Sequence, residues 1–381
     1  MTELRGITWN HTRGYVPMAA TAQRYSELHP GIDIRWEKRS LQQFADWPIE
    51  KLAEVYDLLV IDHPFSGHAA AHDVLLPLEE LLPRGLLDDQ ASHAVGASDA
   101  SYSYGGHKWA LAIDAATPVC GYRPDLLDRA GAAPPRTWEE LLALADRGLV
   151  AVPAIGIDSL MNFYMLCDAL GEEPFRSEDV IASDAIGLRA LDMLASLIRR
   201  CEPGCLQRNP IAIWDFLALS SSVALCPFAY GYSNYSRPGY GAHVLDFGTL
   251  ISTPEGRPFR STLGGAGLAI SSRCTNIDAA IGYCEFVASS ACQRTLYFDS
   301  GGQPGHRQAW LDPEVNRRCG RFFTGTLQTL DDAWLRPRYD GYLHFQDAAS
   351  PVVHSFLRGQ IVAEQALVEM NRLYIASRSS L

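Results

Sequence analysis

Few side chains in this sequence stand at the spacings that chemistry requires. His63, His68 and His72 are five and four residues apart, and His68 and His72 share a helix face if the segment after Pro64 is helical. Two imidazoles at that spacing can chelate zinc, but a site needs a third ligand and spacing identifies none. Solvated histidines are therefore expected, and no metal or cofactor is assigned. Cys201 and Cys205 could close a small disulfide or flank a metal. They lack the tight pairs of a zinc ribbon and read as two thiols at a helix end. Gly265-Ala-Gly267 suggests a dinucleotide fingerprint, but Ile270 stands where the third glycine belongs and the next helix begins too late. No Gly-x-x-x-x-Gly-Lys-Ser/Thr run occurs, Ser220 to Ser222 lie outside a Gly-x-Ser-x-Gly elbow, and no nucleophile has a credible base. An enzyme is not expected. Arg13 carries a guanidinium that matches a carboxylate with two parallel hydrogen bonds, which leaves an acidic ligand open.

Composition narrows the class. The chain has 381 residues, 47% apolar and 20% charged, with 44 acids against 32 bases and a net charge of −12. At roughly 150 residues per domain this suggests two or three domains, and the acidic balance argues against a nucleic-acid partner. The first residues show no basic stretch followed by an apolar core, and no apolar run reaches the ~18 residues of a membrane helix. Nine scattered cysteines read as reduced, buried thiols, which taken alone suggests the cytoplasm.

The elements that must position these groups follow a strand-then-helix grammar. Leu4 to Trp9 reads as a strand, Met18 to Leu28 as a helix ended by Pro30-Gly31, and Ile32 to Trp36 as a half-buried strand. Tyr56 to Asp62 is a continuous apolar run closed by an acid, as in a parallel strand covered on both faces. Thr137-Trp-Glu-Glu140 is a capping box ahead of an apolar helix. Helices are expected at Ala185 to Arg200 and Ile211 to Leu219, then a strand at Val223 to Cys226 and an aromatic, glycine-rich loop from Pro227 to Gly241. Gly264 to Ser271 reads as a strand, Asp278 to Ser289 as a helix, and two more helices lie at Ser350 to Arg358 and Ala363 to Tyr374. Alternating strands and helices mean an α/β fold. No flexible linker separates two halves, so any two lobes must be tied by several crossings.

In order, these segments resemble the extracellular solute-binding proteins of ATP-driven importers, in particular the large family that binds sugars and oligosaccharides. Tyr104-Gly-Gly-His-Lys-Trp-Ala-Leu-Ala-Ile-Asp114 is similar to that family's first crossing segment, with Ala112 where the family usually has proline. Gly121-Tyr-Arg-Pro-Asp-Leu-Leu-Asp-Arg-Ala-Gly131 followed by Pro135-Arg-Thr-Trp-Glu-Glu-Leu141 resembles its most specific stretch. Gly264 to Ser271, Gly301-Gly-Gln-Pro304 and Gly359 to Leu367 resemble its return strand, a turn and its terminal helix. The resemblance implies a two-lobed periplasmic-binding-protein-like fold of type II, with a ligand cleft between lobes joined by a multi-strand hinge. It implies a first lobe of 1–113 with 264–306 and a second of 114–263 with 307–381.

It further implies capture of a sugar, sugar acid or polyol, with a membrane permease as partner, a monomer, and an extracytoplasmic location. A cytoplasmic enzyme or sensor on the same fold is the alternative. Sugars need flat apolar faces and paired donors and acceptors. Trp9, Asn10, His11 and Arg13 follow the first strand, and Asp62 and His63 follow the strand at Leu58 to Ile61, at the same topological edge. Asp114 lies at the predicted crossing. Tyr230 and Tyr232 offer a stacking platform, Gly264 and Gly265 allow close backbone approach, and Trp214 precedes a helix. For each, packing in the lobe's own core is the competing reading.

Overall fold

The computed structural model describes residues 1–40, 49–253 and 255–378. Its main strands are β1 (Thr2–Trp9), β2 (Ile32–Arg39), β3 (Leu58–Ile61), β4 (Leu111–Ala116), β5 (Pro118–Tyr122), β6 (Leu225–Tyr230), β7 (Asp246–Gly248) and β8 (Gly264–Ile270). The helices that matter below are α1 (Thr12–Leu28), α2 (Ile49–Ala53), α3 (Phe65–His72), α4 (Trp138–Asp146), α5 (Gly156–Ala169), α6 (Asp184–Ile198), α7 (Pro210–Leu219), α8 (Ile277–Ala288), α9 (Tyr342–Leu357) and α10 (Ala363–Arg378).

The chain forms two compact units. One comprises Met1–Ala116, Leu263–Arg318 and Arg338–Asp340, and the other Thr117–Thr262, Cys319–Pro337 and Gly341–Leu381. The division expected from sequence left 307–318 and 338–340 with the second lobe. Side chains explain why 338–340 joins the first unit: Arg338 Nη1 donates to the carbonyls of Ala100, Ser101 and Ser103 at 2.8, 3.1 and 2.7 Å, and Asp340 accepts from two histidines of α3. Such contacts span more than 230 residues of sequence and leave no local pattern.

In the first unit a five-stranded sheet has the order β2-β1-β3-β8-β4. β1 runs parallel to β2 and β3, whereas β8 is antiparallel to both β3 and β4. The carboxyl ends of β1, β3 and β4 and the amino end of β8 therefore share one edge. All four residues of β3 are fully buried, as its unbroken apolar run requires. Each such side chain contributes about 1.5 to 3 kcal/mol of hydrophobic stabilisation. The core around it includes Leu4, Met18, Tyr25, Leu111, Leu268 and Tyr283. Inside it the Tyr283 hydroxyl accepts from Trp36 Nε1 at 3.1 Å and bonds Thr21 Oγ1 at 2.9 Å, so the buried phenol is satisfied.

α1 begins six residues earlier than expected. His11 Nδ1 accepts from the backbone N–H of Arg13 at 3.0 Å and caps the helix, and Pro17 lies inside it. Proline discourages a helical reading of the residues before it, although here the cap and buried Gly14, Pro17 and Met18 hold them in place. Arg13 is thus set on the first helical turn and not in a loop.

The second unit holds the antiparallel sheet β6-β5-β7. β6 extends to Tyr230 through Pro227, which corrects the loop expected from Pro227 onward. The correction has a physical basis: β6 is an edge strand, and its register with β5 shifts between Val119 and Gly121, opposite Pro227. An edge strand with a bulge is where a sheet tolerates proline. The capping box forms in a shifted version, with Thr137 Oγ1 accepting from Glu140 N at 3.2 Å while Glu140 Oε2 reaches one residue past the cap to accept from Arg136 N at 2.7 Å. Helix α5 is buried over nearly its whole length, packed by α6 and α9.

Candidate functional site

The shared edge of the first unit's sheet collects most of the polar residues singled out in sequence. Trp9 ends β1, 4% exposed, and belongs to the core cluster; its ring fills the space where a side chain on Gly14 would go. Asn10 is exposed and ties its backbone N–H to the carbonyl of Arg39 at 2.6 Å. His11 is half-buried. Burial, reinforced by the neighbouring Arg13 charge, lowers its pKa to about 3, so the imidazole is neutral at physiological pH. Because Nδ1 accepts the capping bond, the ring proton resides on Nε2.

Arg13 and Asp114 meet each other. Arg13 Nε donates to Asp114 Oδ2 at 2.8 Å and Nη2 donates to Oδ1, with side chains 4% and 0% exposed. Burial drives the Asp114 carboxyl upward and the guanidinium offsets part of that rise. The fork that could have held a ligand carboxylate is occupied by an internal one. Asp114 sits on β4 opposite Ala266 of β8, where the ladder shifts register. Gly265, beside it, has φ +113°, and a Cβ there would lie 2.4 Å from the Asp114 carbonyl oxygen. Gly264 is buried and pairs with Ala116. The close approach expected of these glycines is therefore strand to strand at this point.

At the end of β3, Asp62 Oδ1 accepts from the backbone N–H of His63 at 2.8 Å, and the His63 ring is fully buried, edge-on to Tyr102. Asp62 keeps partial exposure and so retains a face toward solvent.

In the second unit Trp214 is fully buried, its indole N–H donating to the Tyr230 carbonyl at 2.8 Å and its ring edge-on to Phe247 at 5.0 Å. A side chain on Gly121 would collide with that ring. Trp214 is thus a core residue, contrary to the ligand role considered for it, because α7 turns its apolar face onto β5 and β6. Tyr232 is buried at 5% exposure. Tyr230 is half-buried, with its hydroxyl 3.0 Å from Thr262 Oγ1. The paired platform expected from the tyrosines is reduced to Tyr230.

One residue that sequence reading passed over is Asp158, in the first turn of α5. It is 6% exposed, and its Oδ2 has no hydrogen-bond partner among the described residues. Burial raises its pKa to about 8 despite the favourable helix end, leaving a neutral carboxylic acid at pH 7 that can donate as well as accept. The visible signal was an acid four residues after the buried run Val150 to Ala154 and two after Gly156. All nine cysteines are free and buried. Cys201 and Cys205 remain two thiols as expected, Cys205 Sγ accepting from Val152 N at 3.2 Å.

The chain is similar to known solute-binding proteins. Residues 8–169 match the family model described as bacterial extracellular solute-binding protein. Maltose-bound MalE3 of T. maritima superposes with a TM-score of 0.85 at 18% identity, covering 100% of both chains. A solute-binding protein of Agrobacterium radiobacter K84 in complex with ribitol gives 0.85 at 20% identity over 98% of both. One from Agrobacterium vitis S4 with bound D-mannitol gives 0.82 at 16%, over 100% of this chain and 99% of that one. Residues 8–169 thus carry the sequence signature, and the whole chain the two-lobed fold, of the bacterial extracellular solute-binding proteins.

Proposed function

We propose that this chain is the solute-capturing component of an ATP-driven importer, handing one small neutral sugar or polyol to a membrane permease on the extracytoplasmic side. The observation that carries the reading is the gathering of Asn10, His11, Arg13, Asp62 and Asp114 at the carboxyl edge of the first unit's sheet, where open parallel sheets hold ligands. The charge balance of that edge favours a neutral solute. His11 is uncharged, and the Arg13 charge is cancelled by Asp114, so little remains to recruit an anion. Asn10, the His11 Nε2–H and the Asp62 carboxylate supply the alternating donors and acceptors that hydroxyl groups need. The maltose, ribitol and D-mannitol bound by proteins of the same fold support this choice of class.

Titration calorimetry of the full chain against sugars, polyols and sugar acids tests it. Saturable binding of a neutral member, lost or weakened at least tenfold in Asn10→Ala and Asp62→Asn, is the expected result. Silence across the panel, or preference for sugar acids, overturns the assignment.

A further inference from the structure

A second cluster of chemistry lies in the first unit, on the helix that follows β3. His68 and His72 stand one turn apart on α3, their ring centroids 4.1 Å apart and planes inclined by 31°. Both direct a nitrogen at one carboxylate: His68 Nδ1 is 2.9 Å from Asp340 Oδ1, and His72 Nε2 is 2.8 Å from Asp340 Oδ2. The remaining nitrogen of His68, Nε2, lies 2.5 Å from Glu50 Oε1 of α2. The third ligand that histidine spacing could not supply arrives from 268 residues further along the chain.

Two imidazoles one helical turn apart and a carboxylate converge here as the ligands of a transition-metal ion do. His68 Nδ1 and His72 Nε2 become neutral-imidazole ligands, Asp340 is the third, and the His68 Nε2–H donates to Glu50. A carboxylate behind a ligating histidine is the usual outer partner that fixes tautomer and ring orientation at metal sites. One donor atom from each of His68, His72 and Asp340 falls within 4.8 Å of the others. Tetrahedral zinc, with bonds of about 2.1 Å, places its ligand atoms about 3.4 Å apart, so a small outward movement of the present 2.8 and 2.9 Å contacts admits the ion. The side chains are 19%, 47% and 24% exposed, which leaves an entry path and room for water as fourth ligand.

We propose that His68, His72 and Asp340 bind one transition-metal dication of the zinc class, with Glu50 holding His68 in the ligating tautomer. Two other groupings, Asp89 with His93 and His306, and Glu79 and Glu80 with His107, serve as internal controls. In the first, His306 already spends Nδ1 accepting from Gln308 N, and the second offers a single imidazole among exposed acids.

The test uses the full chain, free of any affinity tag and stripped with chelator. Zn²⁺ is titrated calorimetrically, and Co²⁺ is followed by its visible absorption. One equivalent is expected in the unaltered chain and in His93→Ala and His107→Ala. That equivalent should disappear in His72→Ala and in Asp340→Asn, and weaken 10- to 100-fold in Glu50→Gln. Mg²⁺ and Ca²⁺, which favour oxygen ligands, should not compete. Because a variant can fail to fold, Zn²⁺ protection of His68 and His72 from diethylpyrocarbonate, read by mass spectrometry on the unaltered chain, is a second readout. Persistence of the equivalent in both His72→Ala and Asp340→Asn, absence of binding in the unaltered chain, or no protection of the two histidines overturns the site.

Discussion

Replacing Asp158 by asparagine should alter how stability depends on pH more than it alters stability at any one pH. The folded chain holds this carboxyl at a pKa of about 8, against 3.8 when unconstrained, because burial penalises the charged form. A carboxyl raised on folding contributes no penalty below its unfolded value. Folding then loses about 1.4 kcal/mol for each pH unit climbed from there toward 8, above which the loss levels off. Between pH 4.5 and 7.5 the unaltered chain therefore loses about 4 kcal/mol from this group alone, as an order of magnitude. Asparagine keeps the shape and never ionises. Its amide, set where Oδ2 lacks a partner, costs about 1 to 3 kcal/mol, but that cost does not vary with pH. Urea unfolding of both proteins at several pH values isolates the effect, since every other titrating group is common to the two. The stability difference, variant minus unaltered, should rise steadily from pH 4.5 to 7.5 and flatten above 8. A difference that stays constant within 1 kcal/mol would mean that Asp158 ionises normally, and the reasoning from burial would fall.

Other expectations are more local. Arg13→Met or Asp114→Leu alone should cost about 3 to 5 kcal/mol in urea unfolding, since each leaves a buried charge, while the double variant should recover most of the loss; strictly additive losses would refute the pairing. Gly265→Ala places a Cβ against the Asp114 carbonyl at a φ that disfavours side chains, and should lower stability by at least about 2 kcal/mol; an unchanged melting temperature would show that the strand crossing is looser than described. Burial raises the thiol pKa of Cys120 to about 12 and of Cys284 further still, whereas a hydrogen bond from Cys201 lowers that of Cys205, so a disulfide reagent should label at most Cys205 in the native chain and all nine cysteines in guanidinium. Several fast-reacting native thiols would contradict that.

Much of the scaffold was legible because its signals are local. The apolar run before Asp62, the Thr137 capping box and the Gly264 to Ser271 strand each follow from a few adjacent residues, and each forms. The misreadings came where a tertiary contact overrides a local rule. Pro17 is carried inside α1, and Pro227 inside β6 at an edge bulge. The site was legible in position but not in use. Strand ends marked Arg13 and Asp114, yet nothing in their surroundings foretold that they would bind each other across 101 residues. Trp214 carries the residue type of a sugar platform, and only the depth of α7 shows that it serves packing. Asp158 was missed because an acid in a first helical turn is ordinarily a solvated cap.

The strand order of the five-stranded sheet has a consequence for how the chain is made. β8 lies between β3 and β4, although 147 residues of sequence, 117–263, separate the end of β4 from its start. A ribosome that has released the first 116 residues has delivered β1, β2, β3 and β4, but the slot between β3 and β4 stays open until residue 270 emerges. At about 5 to 20 residues per second, β4 waits on the order of 10 to 30 seconds with no sheet neighbour while the bulk of the second unit is synthesised. The nascent first unit is then an open-edged, apolar intermediate of the kind chaperones recognise. Pulse proteolysis of stalled chains should show protection of β1 to β3 only in chains long enough to expose β8.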